Sequence, residues 1–321
     1  MTAAAAGGLA RVVGGAVDAA MVVSSDLVSP LLGVPAALGV PLCDAPPRVR
    51  VLRTGLGMLE SAIIDPPGRL FFTSQYWDGF FGAVLRLDHP DAEPVKVAGG
   101  IGSPGGLAFD DRGMLIAGFG DSTPYGLIGN VVGRAGLLRI SPDNGECQTL
   151  VTGLQMANGV ARAPDGTIFA SNVLGTHIDR VDPHGSVQSR WARVPSANGL
   201  AVDPGGRYLS ASQTFAAAAI KRVEIANPAN VTTHARPGLL ARAAALDGLA
   251  IDDAGRCLYV AANGAGQIWR AGPDGTITAL ARGLKSPSAV AIGHGPDGFR
   301  EGNLYAVTFH GDIIELTDGA R

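Results

Sequence analysis

The chain has 321 residues, with 25 basic against 28 acidic side chains and a net charge of -3. That balance leaves no electrostatic footprint for nucleic acid, and no basic stripe with interleaved aromatics occurs. A 46% hydrophobic content can fill a large core, whereas three isolated cysteines, Cys43, Cys147 and Cys257, have neither metal spacing nor the even count of a disulfide framework. A reducing, cytoplasmic setting is therefore expected.

Residues 1–47 are rich in Ala, Gly and Val and stand apart as an N-terminal extension. The first basic residue is Arg11 and Asp18 interrupts the apolar run, which fits a secretory signal poorly. Pro30, Pro35 and Pro41 break the uncharged stretch from Leu27 to Cys43, so no membrane span is expected. Two short helices packed on the main domain are the preferred reading.

From residue 48 onward one phrase recurs six times. Its copies are Leu59-Glu60-Ser61-Ala62-Ile63-Ile64-Asp65, Pro104-Gly105-Gly106-Leu107-Ala108-Phe109-Asp110, Ala157-Asn158-Gly159-Val160-Ala161, Ala197-Asn198-Gly199-Leu200-Ala201-Val202-Asp203, Leu246-Asp247-Gly248-Leu249-Ala250-Ile251-Asp252 and Pro287-Ser288-Ala289-Val290-Ala291-Ile292. The second position falls at residues 60, 105, 158, 198, 247 and 288, at spacings of 45, 53, 40, 49 and 41 residues. Each copy is an apolar strand that runs into a Gly turn, as at Pro67-Gly68 or Asp165-Gly166, and then into a second strand such as Leu70-Phe71-Phe72-Thr73. Repeats of about 40–50 residues built from short strands read as propeller blades. The expected fold is all-β: a six-bladed β-propeller over residues 48–321. The second blade carries an insert, 119–134, long enough to act as a lid.

In a propeller the first strand of each blade lines the central channel. The variable second positions, Glu60, Gly105, Asn158, Asn198, Asp247 and Ser288, would then face one axis. Two carboxylates and two amides, Glu60, Asp247, Asn158 and Asn198, are hard oxygen donors of the kind calcium takes. Asn or Asp before Gly is also ordinary turn chemistry, an explanation that does not extend to Glu60. A second ring is read at the ends of the second strands: Gln75, Phe119, Asn172, Gln213, Asn263 and His310, candidate substrate contacts at the channel mouth. Gly100-Ile101-Gly102-Ser103-Pro104-Gly105 spells a GxGxxG, but Pro104 and the following strand make it a blade-to-blade connection. No GxSxG, P-loop or HExxH motif occurs.

At these residues the chain resembles the senescence marker protein/gluconolactonase/luciferin-regenerating enzyme family, and it looks like the related squid-type diisopropyl-fluorophosphatases. The resemblance extends over the whole propeller and rests most on the Asn-Gly-Leu phrase at Asn198 and the Asp-Gly-Leu phrase at Asp247. It implies a catalytic divalent ion, usually calcium, held by Glu60, Asn158, Asn198 and Asp247. It also implies a pocket histidine at His310, in Val307-Thr308-Phe309-His310. The chain departs from the family where Glu60-Ser61 is followed by Ala62-Ile63-Ile64 instead of Pro and Trp, and in the blade-two insert. The activity that the resemblance implies is calcium-dependent hydrolysis of a lactone or ester. Asp247 would be the base or nucleophile, His310 would orient water or substrate, and Gln75, Asn172, Gln213, Asn263 and Phe119 would contact a small-molecule substrate. Addition, lyase or cyclisation chemistry on the same site, or a propeller that only binds, are the alternatives. Oligomeric state is not legible.

Overall fold

The computed structural model describes residues 31–78, 81–296 and 298–320. Six four-stranded antiparallel sheets form the six blades of a β-propeller. Five blades are built from consecutive strands, beginning with β2 (Leu59–Ile64) to β5 (Val95–Ile101), and β6 (Pro104–Phe109) to β9 (Cys147–Leu154). The sixth is composite. Its strands β22 (Pro287–Ile292), β23 (Leu304–Thr308) and β24 (Ile313–Thr317) take β1 (Arg48–Arg53) as their outermost strand. Chain start and chain end thus share one sheet, with Val49 paired to Leu316 and Arg50 to Glu315.

The expected hairpin turns are present, and their glycines, Gly68, Gly113, Gly166, Gly206 and Gly255, hold φ between 66° and 92°. Only glycine enters that region without penalty. Apolar residues from neighbouring blades interlock: Phe71 of blade one meets Phe109 of blade two edge-on, ring centroids 5.7 Å apart. Phe169 and Trp191 pack within blade three at 4.7 Å.

Within the extension, residues 31–39 form helix α1. Its buried Ala36, with Val40 just beyond it, joins a core cluster with Ala265 of blade five and with Ala241 and Ala244 of the segment that leads into that blade. The chain then docks on β21 (Ile277–Arg282), exchanging backbone hydrogen bonds between Pro41, Cys43 and Ala279. A second helix expected nearer the start falls outside the described residues. Among the described residues no helix is long and apolar enough to cross a membrane.

Candidate functional site

The variable polar residues sit where the inner strands are irregular. Register breaks occur between Leu59 and Ala62, Pro104 and Leu107, Ala197 and Leu200, Leu246 and Leu249, and Pro287 and Ala289. In each case the break spans the variable position. In blade three the paired strand β10 (Val160–Arg162) begins only after Asn158. Bulges bend a strand and re-aim a side chain. Four blades add a non-glycine residue with positive φ two positions earlier: Ser103, Ser196, Ala245 and Ser286, at 43–55°. That conformation costs free energy and persists only where the surroundings enforce it.

Hydroxyl groups repair what the bulges interrupt. Ser171 Oγ accepts from the Gly159 N–H at 2.8 Å and donates to the Asn198 carbonyl at 2.6 Å. Thr73 Oγ1 likewise accepts from the Ser61 N–H and donates to the Gly105 carbonyl. Ser212 Oγ donates to the Asp247 carbonyl at 2.6 Å. Each hydroxyl belongs to one blade and latches the variable residue of the next.

Above these residues lies a cavity of about 660 Å³. Glu60, Asn158, Asn198 and Asp247 line both this cavity and a small chamber beneath it, so they form its floor. All four are buried, at 4–8% exposure. The insert of blade two supplies a further carboxylate, Asp121, which also lines the cavity. The Asn158 amide ties two carboxylates together, donating to Asp121 Oδ1 at 2.9 Å and to Glu60 Oε1 at 3.2 Å. Gln75 Nε2 donates to Asp121 Oδ2 at 3.1 Å and to the Pro104 carbonyl at 2.8 Å. Asn263 Nδ2 donates to Asp247 Oδ2 at 3.3 Å.

Burial, and next the charge of Asp121, pushes the Asp247 pKa well above the usual carboxylate range. Hydrogen bonds from Asn198, Gly248 and Asn263 only partly oppose this. The site thus gathers negative charge in a poorly solvated place, which favours a cation or a proton.

Among the described residues no group of three or more His, Cys, Asp or Glu is arranged to hold a metal ion. The donor set here is instead mixed, two carboxylates and two amides. Its fit to a hard cation rests on Asn158 Oδ1, which is buried and has no hydrogen-bond partner; Gln75 Oε1, of a residue lining the same cavity, is in the same state. An amide oxygen left so is costly, and its amide N–H already points at a carboxylate. Oxygen-only donors suit calcium better than zinc.

The second ring is divided. Gln75 and Asn263 line the cavity, as does Phe309 beside His310. Asn172 is buried and holds the blade-two insert, donating to the Gly126 carbonyl at 3.1 Å. Gln213 donates to the Pro195 carbonyl at 2.7 Å. Phe119 packs against the core cluster between blades one and two. His310 is half-buried, and its backbone N–H donates to Thr308 Oγ1. None of these four is among the residues lining the cavity.

The walls come from irregular segments. The insert folds into helix α2 (Thr123–Gly129), whose Thr123 and the preceding Ser122 face the cavity. The helix packs closely on the chain beyond β9: a Cβ on Gly129 would lie 1.8 Å from the Gln155 carbonyl oxygen. Leu32 of α1, Phe215 to Ala217 and Arg242 to Ala243 complete the enclosure. Sequence reasoning missed Asp121 and the hydroxyl latches. The latches did leave a trace, since Thr73, Ser171 and Ser212 follow their variable residues by 13, 13 and 14 positions.

Fold and site together define a six-bladed propeller with a polar floor at one mouth of its channel. The chain resembles the SMP-30/gluconolactonase/LRE-like family: residues 170–301 match the model of that region. A gluconolactonase from Xanthomonas campestris superposes with a TM-score of 0.65 at 17% identity, covering 87% of this chain and 96% of that one. Regucalcin, a calcium-binding protein from Agrobacterium tumefaciens, gives a TM-score of 0.63 at 18% identity, covering 84% and 94%. An auxiliary nutrient-binding protein from Bacteroides ovatus gives 0.62 at 12% identity, covering 84% and 76%. At these identities the likeness is one of fold. No curated protein matches the chain.

Proposed function

We propose that the protein is a divalent-cation-dependent hydrolase of a lactone or ester, with calcium as the ion. One observation carries the reading. Two carboxylates and two amides converge from four blades on one cavity floor, with Asn158 Oδ1 buried beside them and without a partner. Glu60, Asn158, Asn198 and Asp247 would hold the ion, and Asp121 lies within reach of the same amide. Such an ion supplies Lewis-acid polarisation of a carbonyl oxygen.

The protein's own groups do the rest. Asp247, on the cavity floor, is placed to take a proton from water as that water attacks the carbonyl carbon. The same proton then passes to the leaving alkoxide as the acyl C–O bond breaks. Asn198 and Asn263 hold the Asp247 carboxyl in place. His310 sits one residue beyond the cavity-lining Phe309 and would act through it or through water. Gln75 and Asn263 are the second-ring members placed to meet substrate. Three free cysteines fit a reducing cytoplasm.

The second reading is a propeller that binds a small molecule without converting it; the Bacteroides neighbour of this fold is described as a nutrient-binding protein. Metal analysis of the wild type beside Glu60→Ala and Asp247→Ala, with a lactone and ester screen, tests the proposal. One equivalent of calcium lost in both variants, together with turnover, is expected. Turnover retained in Asp247→Ala sinks it.

A further inference from the structure

We infer that the substrate has a bulky apolar body, joined to a single reacting lactone or ester group, and is not a polyhydroxylated sugar lactone. The inference rests on the hydrolase reading above for its chemistry, but on separate observations for its specificity.

The first observation is what the walls are made of. Met58, Met156, Leu174, Phe215 and Phe309 face the cavity, and Arg242 is the one Lys or Arg among the described lining residues. Phe215 is 64% exposed while lining the cavity, so apolar surface runs from inside the pocket out to its rim.

The second observation is how the polar groups are already engaged. Asn158 Nδ2 serves Asp121 and Glu60, and Gln75 Nε2 serves Pro104 and Asp121. Asn263 Nδ2 serves Asp247, and Asn198 Nδ2 serves Thr214 Oγ1 at 3.0 Å. Thr214 Oγ1 in turn donates to the Leu246 carbonyl at 2.6 Å. The amide N–H donors of the floor are engaged with neighbouring carboxylates, a backbone carbonyl and a hydroxyl. What remains is acceptor oxygen, Asn158 Oδ1 and Gln75 Oε1, which could accept from a substrate hydroxyl but which a bound cation would draw on first, leaving little for a ring of substrate hydroxyls. Each hydroxyl buried without a partner lowers affinity by about tenfold.

The third is size. A cavity of about 660 Å³ is in the range that encloses drug-sized ligands, and a single polar ring would leave the wall side chains unfilled.

The experiment compares the calcium-loaded protein on γ-lactones whose alkyl chain grows from methyl to octyl, and on gluconolactone. Binding of the matching non-hydrolysable alkyl lactams is followed by calorimetry at several temperatures. We expect kcat/KM to rise about 3- to 4-fold per added methylene until the walls are filled. Gluconolactone should fall at least about 100-fold below the best alkyl lactone, in line with the per-hydroxyl penalty. Phe215→Ser should flatten the chain-length dependence. Lactam binding should show a negative heat-capacity change. Gluconolactone turned over as well as the alkyl lactones would overturn the inference and leave the hydrolase reading standing. Chain-length-dependent lactam binding without any turnover would support the inference and overturn the hydrolase reading. Absence of both binding and turnover would overturn the inference.

Discussion

The floor of the cavity and its walls are built by opposite strategies. The floor repeats: five of the six variable residues fall at the same register break at the start of an inner strand, and hydroxyls of the preceding blade latch Gly105, Asn198 and Asp247. The walls do not repeat. They draw on an N-terminal helix, a blade-two insert and two blade-edge loops that share no motif, joined by Met58, Met156, Leu174 and Phe309 from the ends of blade strands. A repeated frame keeps donors in a fixed relation. Irregular segments can change shape without disturbing them, which is how one fold can keep its chemistry and change its substrate.

This division can be broken at its strongest point first. Asp247→Ala should abolish calcium binding and lower kcat/KM by at least about 10³-fold, measured by elemental analysis and steady-state kinetics. Asp247→Asn should do the same to activity yet raise the Tm of the metal-free protein at a pH above the raised folded pKa, where it removes a buried charge repelled by Asp121. A lower Tm would mean that the carboxylate is structural.

The sign of the pH dependence is set by the same residue. Its folded pKa lies above the unfolded value of 3.8. The folded metal-free protein therefore holds a proton that the unfolded chain releases. That stability is full below pH 3.8 and is lost as pH rises through the raised folded pKa. Thermal melts of wild type against Asp247→Asn should differ in this window. Calcium binding there should release protons, seen as a buffer-dependent heat in calorimetry, and affinity should weaken as pH falls.

Smaller effects sharpen the comparison. Asp121→Asn should weaken calcium binding by about tenfold, as expected when a group that orients ligands is changed. Ser212→Ala removes the latch on the Asp247 carbonyl and leaves that acceptor short of a partner. It should cost about 1–3 kcal/mol of stability and a few-fold in calcium affinity, with Ser212→Thr restoring both. The smallest change belongs to the walls. A Cβ on Gly126 would lie 2.9 Å from Met156 Sδ, so Gly126→Ala should move that side chain into the cavity. KM should rise a few-fold while calcium affinity, read by calorimetry, stays put. A wall variant that altered calcium binding would show that floor and walls are not separable.

The same division explains what was legible in the sequence. Six blades were readable because each repeats an apolar strand, a glycine turn and a second strand. The convergence of Glu60, Asn158, Asn198 and Asp247 on one floor was readable because equivalent positions in a ring face one axis. Asp121 was not, because it stands in an insert with no counterpart in the other blades. The second ring was legible only in part. Strand ends open into loops, and Asn172 and Gln213 turn to hold backbone carbonyls of adjoining segments, a choice that depends on neighbours and leaves no periodicity. The pairing of β1 with β24 was also invisible, since nothing in a repeat says how a ring closes.

That closure has a kinetic consequence. The residues that close the circle are more than 260 positions apart: Arg50 Nε meets Glu315 Oε2 at 3.0 Å, across a separation of 265 residues. One step inward, Ser288 Oγ donates to the Leu59 carbonyl, next to Glu60, across 229 residues. Contacts so distant along the chain form slowly. Blades can fold from their own local hairpins, but the Asp247 side of the floor meets Glu60 across a closed ring only once this seam is joined. A binding floor that needs all of its donors is therefore among the last features of the molecule to assemble, and ring closure and site assembly become one event.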